Sequence, residues 1–369
     1  MKNISILLAV TFQFISAIVL VSCHNGSPVG PVSVLPASDI VLSRDGHLYI
    51  MRDEDSLQLA PVIDTTSFIV TNSVICPKLS PDRRLIAFYA TKSFTDIGTM
   101  LCVVGVDGKN LRTIAVVSLP GQLFSVGLNW SPDGQTIAYS SPRDGTNNAN
   151  NIYIVKADGT RERKITDDNC YNIRPKWSFD GGLIAFLRIH PFGPAGFAVY
   201  NLSNSKMLEV TTHSGSYFWS PNSNWLAYNA TPENPSSQNS KDLYLIRVGD
   251  STITQPLELK GGSYSGTNMG IWGGWDPSGN AILIATSNDT GQTIQNAQIL
   301  LVNSRSGIST PITTLQTPGK ATWSKDGSRI FFTKWRPNSV YPDGFDLYVM
   351  NSDGNGQKLV IQGIADPDW

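Results

Sequence analysis

Leu128–Ser141 reads LNWSPDGQTIAYSS, a strand, a tight turn and a second strand. Ser131-Pro132-Asp133-Gly134 matches a type I turn position by position: Ser suits the first corner, Pro presets φ at the second and Gly ends the turn. Ile137-Ala138-Tyr139 then supplies a short β-prone run able to pack in a sheet.

The pattern recurs as Leu79-Ser80-Pro81-Asp82, Trp177-Ser178-Phe179-Asp180-Gly181, Trp219-Ser220-Pro221-Asn222, Trp275-Asp276-Pro277-Ser278-Gly279 and Trp323-Ser324-Lys325-Asp326-Gly327, each followed by an apolar run such as Ile184-Ala185-Phe186. From Leu79 through the motif tryptophans to Trp369 the steps are 51, 47, 42, 56, 48 and 46 residues. Self-similarity at about 40–50 residues with four strands per unit is the signature of a β-propeller. The second half of each unit agrees: a strand such as Asn151–Val155, an Asp158-Gly159 turn and a closing strand ending Lys164-Ile165-Thr166. The Asp-Gly pairs lack the alternating carboxylates of an EF-type loop and read as hairpin turns.

The chain ends predict how the ring closes. Asp39–Ser43, His47–Met51 and Leu57–Val62 resemble the second, third and fourth strands of a unit without its first, and Ala365–Trp369 resembles that missing first strand. Six whole units plus one shared between the termini give an all-β, seven-bladed propeller of four-stranded blades, with six blades as the alternative. Sharing a strand removes an open sheet edge.

WSPDGxxIAYxS followed by NIYIVxADGxxxxxIT resembles the TolB-type β-propeller repeat, a WD-like repeat of bacterial envelope proteins, across residues 38–369. The resemblance implies the repeat architecture and a habit of binding other proteins. It does not imply membership of the Tol–Pal system, because no separate α/β domain is expected before the propeller and the leader resembles a lipoprotein's.

Residues 1–22 carry Lys2, an apolar run from Ile4 to Val21 and then Ser22-Cys23. This resembles a bacterial lipoprotein signal, with cleavage before a lipid-bearing Cys23; an uncleaved membrane anchor is the alternative. Both readings export the rest of the chain, and His24 after the cysteine favours the outer membrane over the inner one. Residues 23–37, rich in Gly, Pro and Ser, read as a flexible tether. The expected location is the cell envelope, facing the periplasm or the surface, and the expected state is a monomer.

With 28 basic and 29 acidic residues there is no basic tract to follow phosphates, so nucleic-acid binding has no electrostatic footprint. Cys76, Cys102 and Cys170 are odd in number once Cys23 is lipidated, which argues for buried thiols rather than a disulfide framework. No CxxC or Cys/His spacing suggests a metal, and no cofactor is expected. His47, His190 and His213 fall in different blades, none beside a motif that pairs it with a nucleophile, and GxSxG is absent.

Alternating strand direction puts the short SPDG and Asp-Gly turns on one face and the longer loops on the other. Loops on a rigid scaffold concentrate binding residues. The candidate partner-binding set is therefore Trp335, Arg336, Tyr341, His190, Phe192, Tyr171, Tyr264 and Trp272, since Tyr, Trp and Arg anchor binding hot spots. The motif tryptophans read as blade-packing residues. The functional expectation is a lipid-anchored, non-catalytic protein-binding module or scaffold with an unidentified envelope partner. The alternatives are a carbohydrate- or small-ligand-binding lipoprotein and, less favoured, a propeller hydrolase or lyase. If the termini share a blade, deleting residues 365–369 will lower the thermal unfolding midpoint far more than tail removal usually does.

Overall fold

The computed structural model describes residues 40–44, 47–51, 59–61, 73–91, 98–119, 127–144, 149–193, 195–211, 216–230, 242–249, 257–258, 268–289, 294–315, 320–336 and 344–364. All regular structure among them is β. An N-terminal sheet holds β1 (Ile40–Arg44), β2 (His47–Met51) and β3 (Leu59–Pro61). Six four-stranded antiparallel blades follow. Blade 1 is β4 (Ser73–Leu79), β5 (Leu85–Thr91), β6 (Thr99–Gly105) and β7 (Arg112–Ser118); blade 2 is β8 (Leu128–Trp130), β9 (Thr136–Ser141), β10 (Asn151–Lys156) and β11 (Arg163–Lys164). Blade 3 is β12 (Tyr171–Trp177), β13 (Leu183–Ile189), β14 (Ala195–Asn201) and β15 (Met207–Thr211); blade 4 is β16 (Tyr217–Trp219), β17 (Trp225–Ala230), β18 (Asp242–Arg247) and β19 (Leu257–Glu258). Blade 5 is β20 (Asn268–Trp275), β21 (Ala281–Asp289), β22 (Ile294–Asn303) and β23 (Ser309–Leu315); blade 6 is β24 (Ala321–Trp323), β25 (Arg329–Trp335), β26 (Phe345–Asn351) and β27 (Lys358–Ile364).

The fold is thus an all-β propeller whose strand order within each blade follows the chain. Because side chains alternate across a strand, every sheet is apolar on both faces and packs against two neighbours. Val41, Leu48 and Ile50 of the N-terminal sheet pack on Ile86 and Phe88 of blade 1. On its other face Leu42 packs with Phe331, Leu347 and Val349 of blade 6. The N-terminal sheet therefore closes the ring between the first and last complete blades. Its expected first strand, residues 365–369, lies outside the described residues, as do the expected leader, Cys23 and the tether.

Two repeat-encoded devices join consecutive blades. In the first, a motif tryptophan donates its indole N–H to the backbone of the preceding blade: Trp130 Nε1 to the Lys78 carbonyl at 2.9 Å, Trp219 to Lys176 at 3.1 Å and Trp275 to Phe218 at 3.2 Å. Each acceptor is the residue just before the preceding motif tryptophan or its Leu79 equivalent. Trp177 and Trp323 break the series, and their buried Nε1 atoms have no hydrogen-bond partner among the described residues. Trp177 is tied instead through its backbone N–H, which donates to Asn129 Oδ1 at 2.8 Å. The carbonyl equivalent for Trp323 belongs to Gly274, which sits at φ 66 in an irregular stretch of β20.

The second device is the turn itself. Ser131 Oγ donates to Asp133 Oδ1 at 2.5 Å and accepts the Thr136 N–H at 2.9 Å, locking the corner; Ser178 and Ser324 do the same. The Ser324 hydroxyl, helped by the Ser328 amide, holds the Asp326 carboxyl down at about 2. In blade 5, Asp276 takes the serine's place and accepts the Ala281 N–H at 2.8 Å. Successive turns stack, with the turn glycine against the preceding blade's proline. At Gly327 (φ 73) a Cβ would lie 3.1 Å from Pro277 Cδ, so both conformation and space call for glycine there.

Replacing Trp219 by Phe keeps an aromatic ring but removes the donor. Losing that hydrogen bond to the Lys176 carbonyl should cost roughly 1 kcal/mol. Trp177→Phe loses similar ring volume but no indole hydrogen bond. Chemical denaturation should therefore find Trp219→Phe the more destabilised by about 1 kcal/mol.

Candidate functional site

At blade 3 the long-loop end gathers charge. Arg188 lies near the end of β13 and faces blade 2, on the same side as Ile184 and Phe186, which pack on Ala138 and Ile152. The strand register sets Arg188 opposite Asn172 on β12 and Gly196 on β14. With no side chain at Gly196, the guanidinium can cross the sheet to the outer strand. Its Nε donates to Glu209 Oε2 on β15 at 3.0 Å, while Nη1 donates to Asp168 Oδ2 at 2.8 Å and Asn172 Oδ1 at 2.9 Å. Arg188 is 7% exposed, so the guanidinium is largely withdrawn from water while its two carboxylate partners stay partly solvated.

Asp168 leads into β12 and fixes the loop. Its Oδ1 accepts the Cys170 N–H at 2.9 Å and Asn172 Nδ2 at 2.9 Å. Burial opposes its ionisation, but the Arg188 hydrogen bond and those from Cys170 and Asn172 hold its carboxyl below the ordinary value. The loop is also sewn to blade 2. The Asn172 N–H donates to the Asn150 carbonyl at 2.9 Å, and Thr166 Oγ1 accepts the Ile152 N–H at 2.9 Å.

His190, just past β13, places Nε2 2.5 Å from Glu209 Oε1 and Nδ1 3.4 Å from Cys170 Sγ. Twenty positions separate Cys170 and His190 in the sequence, and the fold brings them together by setting the loop before β12 beside the end of β13. Burial pushes the Cys170 thiol up to about 11; Arg188 opposes this shift, and the Asp168 and Glu209 carboxylates add to it. Phe192 follows on the same loop and is fully exposed.

The expected site residues divide. His190, Phe192 and Tyr171 come together on blade 3, with Tyr171 half-buried at the start of β12. Arg336 belongs to blade 6, where its Nη2 pairs with Asp346 Oδ1 at 2.7 Å, and blade 6 is not adjacent to blade 3. Trp335 ends β25 and Trp272 lies in β20, while Tyr341 and Tyr264 fall outside the described residues.

Arg143, Glu162, Arg188 and Glu209 were not singled out in the sequence, and Cys170 was read only as a buried thiol, although the repeat register marks Arg143, Glu162 and Glu209. Arg143, His190 and Arg336 all stand thirteen residues after a motif tryptophan. Glu162 and Glu209 both stand thirty-two after one, and the matching pairs meet in both blades, with Arg143 Nη2 2.9 Å from Glu162 Oε2. Arg143 also lies 4.3 Å from the centroid of the Tyr153 ring. Among the described residues no group of three or more His, Cys, Asp and Glu side chains is placed to hold a metal.

The TolB beta propeller domain family matches residues 46–244, just over half of the chain. An uncharacterized peptidase of Bacillus subtilis (strain 168), YuxL, is 41% identical over 61 residues, which are 16% of this chain and 9% of that protein. Among solved structures, the tricorn protease superposes with a TM-score of 0.62 at 12% identity, covering 89% of this chain and 33% of its own. An oligogalacturonate lyase in complex with manganese gives 0.58 at 12% identity, covering 89% and 85%. The chain thus spans about a tenth of the curated relative it matches and a third of the tricorn chain, and at these identities the structural likeness is one of fold.

Replacing Arg188 by Met strands two carboxylates beside the loop and should destabilise by roughly 1–3 kcal/mol at pH 7, below the cost of breaking a fully buried pair because both are partly solvated. The folded pKa of Asp168 is depressed, so its stabilisation is present above about pH 4 and lost as pH falls through the folded value. The deficit of Arg188→Met should therefore shrink towards pH 3 in urea titrations.

Proposed function

The chain belongs to the TolB β-propeller family, and from that premise we propose that it is a non-catalytic protein-binding module that docks its partner on the long-loop end of blade 3, beside blade 2. The observation that carries this reading is Phe192. A large aromatic side chain is held fully in solvent, two residues from an Arg188–Glu209–His190 network that fixes the base of its loop. An apolar anchor ringed by polar groups is the anatomy of a binding hot spot, where one aromatic fills a pocket on the partner and the rim supplies orientation. Little side-chain freedom remains to be lost at the rim on docking, because its Arg188 ion pairs already exist in the unbound molecule.

In this reading Cys23 carries the lipid that tethers the propeller to the cell envelope, and the residues after it let the binding face move relative to the membrane. The partner is a protein with a recessed apolar site flanked by groups that complement the charged rim.

Phe179 supplies a control at the opposite end of blade 3. It is 59% exposed and occupies the short turn between β12 and β13. Replacing Phe192 with photoreactive p-benzoylphenylalanine and irradiating intact cells should give a discrete crosslinked protein, whereas the same replacement at Phe179 should not. Crosslinks from Phe179 alone, or from neither position, would rule out docking at this face.

A further inference from the structure

The loop before β12 holds a group that partner binding does not use. Cys170 is 6% exposed beneath the rim, with Sγ 3.4 Å from His190 Nδ1. The far nitrogen of that imidazole, Nε2, is 2.5 Å from Glu209 Oε1. A carboxylate in this position accepts a hydrogen bond from Nε2–H, which selects the tautomer whose lone pair is on Nδ1 and faces the sulfur. The thiol then donates to Nδ1, and thiol, imidazole and carboxylate form one relay. The carboxylate is itself fixed, since Glu209 Oε2 accepts from Arg188 Nε at 3.0 Å. The sulfur is fixed through its backbone, since the Cys170 N–H is held by Asp168. Residues 170, 190 and 209 come from three different segments of blade 3, and the fold brings them into this order without any help from local sequence.

We propose that Cys170 is a base-assisted nucleophile, with His190 as its base and Glu209 as the group that orients the base, and that it reacts with hydrogen peroxide and other small hydroperoxides. The near-complete burial of Cys170 selects for small electrophiles. In the step, the Cys170 thiol proton passes to His190 Nδ1 as the sulfur attacks one peroxide oxygen. The S–O bond forms, the O–O bond breaks, and the departing oxygen takes the proton from Nδ1 and leaves as water, or as the alcohol when the substrate is an organic hydroperoxide. Sulfur is oxidised by two electrons to the sulfenic acid, peroxide is reduced by two, and the imidazole returns to its starting state.

The molecule carries its own control. Cys102 is also buried, its thiol is likewise pushed up to about 11, and its sulfur faces the Thr113 hydroxyl at 3.7 Å rather than an imidazole. Unassisted, a thiol of that acidity is ionised to only about one part in ten thousand at pH 7. Positioned general bases are worth about 10²–10⁴ in rate, so assistance should separate the two cysteines clearly.

The test uses the reduced full-length protein, treated with hydrogen peroxide in the presence of dimedone, with each cysteine's adduct followed by peptide mass spectrometry. Cys170 should form the adduct at least about tenfold faster than Cys102. His190→Gln should remove most of that advantage at an unchanged melting temperature, and Glu209→Gln, which keeps an acceptor but loses the charge, should fall between. Equal labelling of Cys170 and Cys102 in the wild type would overturn the proposal, and that comparison needs no variant to fold. If His190→Gln does not fold, an undiminished rate in Glu209→Gln would overturn it as well.

Discussion

The ring depends on one recurrent contact, the indole N–H of a motif tryptophan donated to the main chain of the blade before it. Trp130, Trp219 and Trp275 each make it, and each acceptor directly precedes the corresponding residue of the previous blade. The bond fixes the height of one innermost strand against the next, which apolar packing between sheet faces does not do alone because such packing is non-directional. The stacked turns do the same job at the short-turn end, where each glycine leaves room for its neighbour's proline. The two devices together set the blade-to-blade step, and the N-terminal sheet, wedged between Phe88 and Phe331, fits the gap that the step leaves.

A regular scaffold lets one irregular blade stand out. In blade 3 the absence of a side chain at Gly196 leaves room for Arg188 to reach from β13 to Glu209 on the edge strand β15, and the loop before β12 is tied to the same guanidinium through Asp168. The same end of the blade then presents Phe192 to solvent and hides Cys170. These two features answer to different chemistry. The exposed ring suits recognition of a surface, whereas the sheltered thiol with its imidazole suits a small electrophile. They share His190's loop, so a change at the sulfur lies within reach of the docking face.

Much of the fold was legible because its signals are local. Ser131-Pro132-Asp133-Gly134 encodes its own turn, and Ile137-Ala138-Tyr139 its own strand, so the repeat could be read six times. The packing role of the tryptophans was legible too, but not the acceptor, since a carbonyl carries no residue identity. The site was harder. Phe192 and His190 were visible as unusual side chains in a long loop, whereas Cys170 and Glu209 lie on other segments and meet His190 only once three strands are paired. Arg188 looked like an ordinary strand residue, and only the fold shows that it crosses an empty glycine position. The offsets of thirteen and thirty-two residues from the motif tryptophan hold the one sequence signal that could have exposed the Arg143–Glu162 and His190–Glu209 pairs, and the change from arginine to histidine disguised it.

If stitched tryptophans and stacked turns make the propeller one mechanical unit, its blades cannot open one at a time. Hydrogen exchange measured by mass spectrometry in the native state tests this directly. The account predicts that peptides from β4, β8, β12, β16, β20 and β24 share a single opening free energy equal to that of global unfolding. A graded series, with blades 3 and 6 opening first because Trp177 and Trp323 lack the indole bond, would contradict it. So would protection unrelated to blade, with β8 and β16 opening as readily as the outer strands.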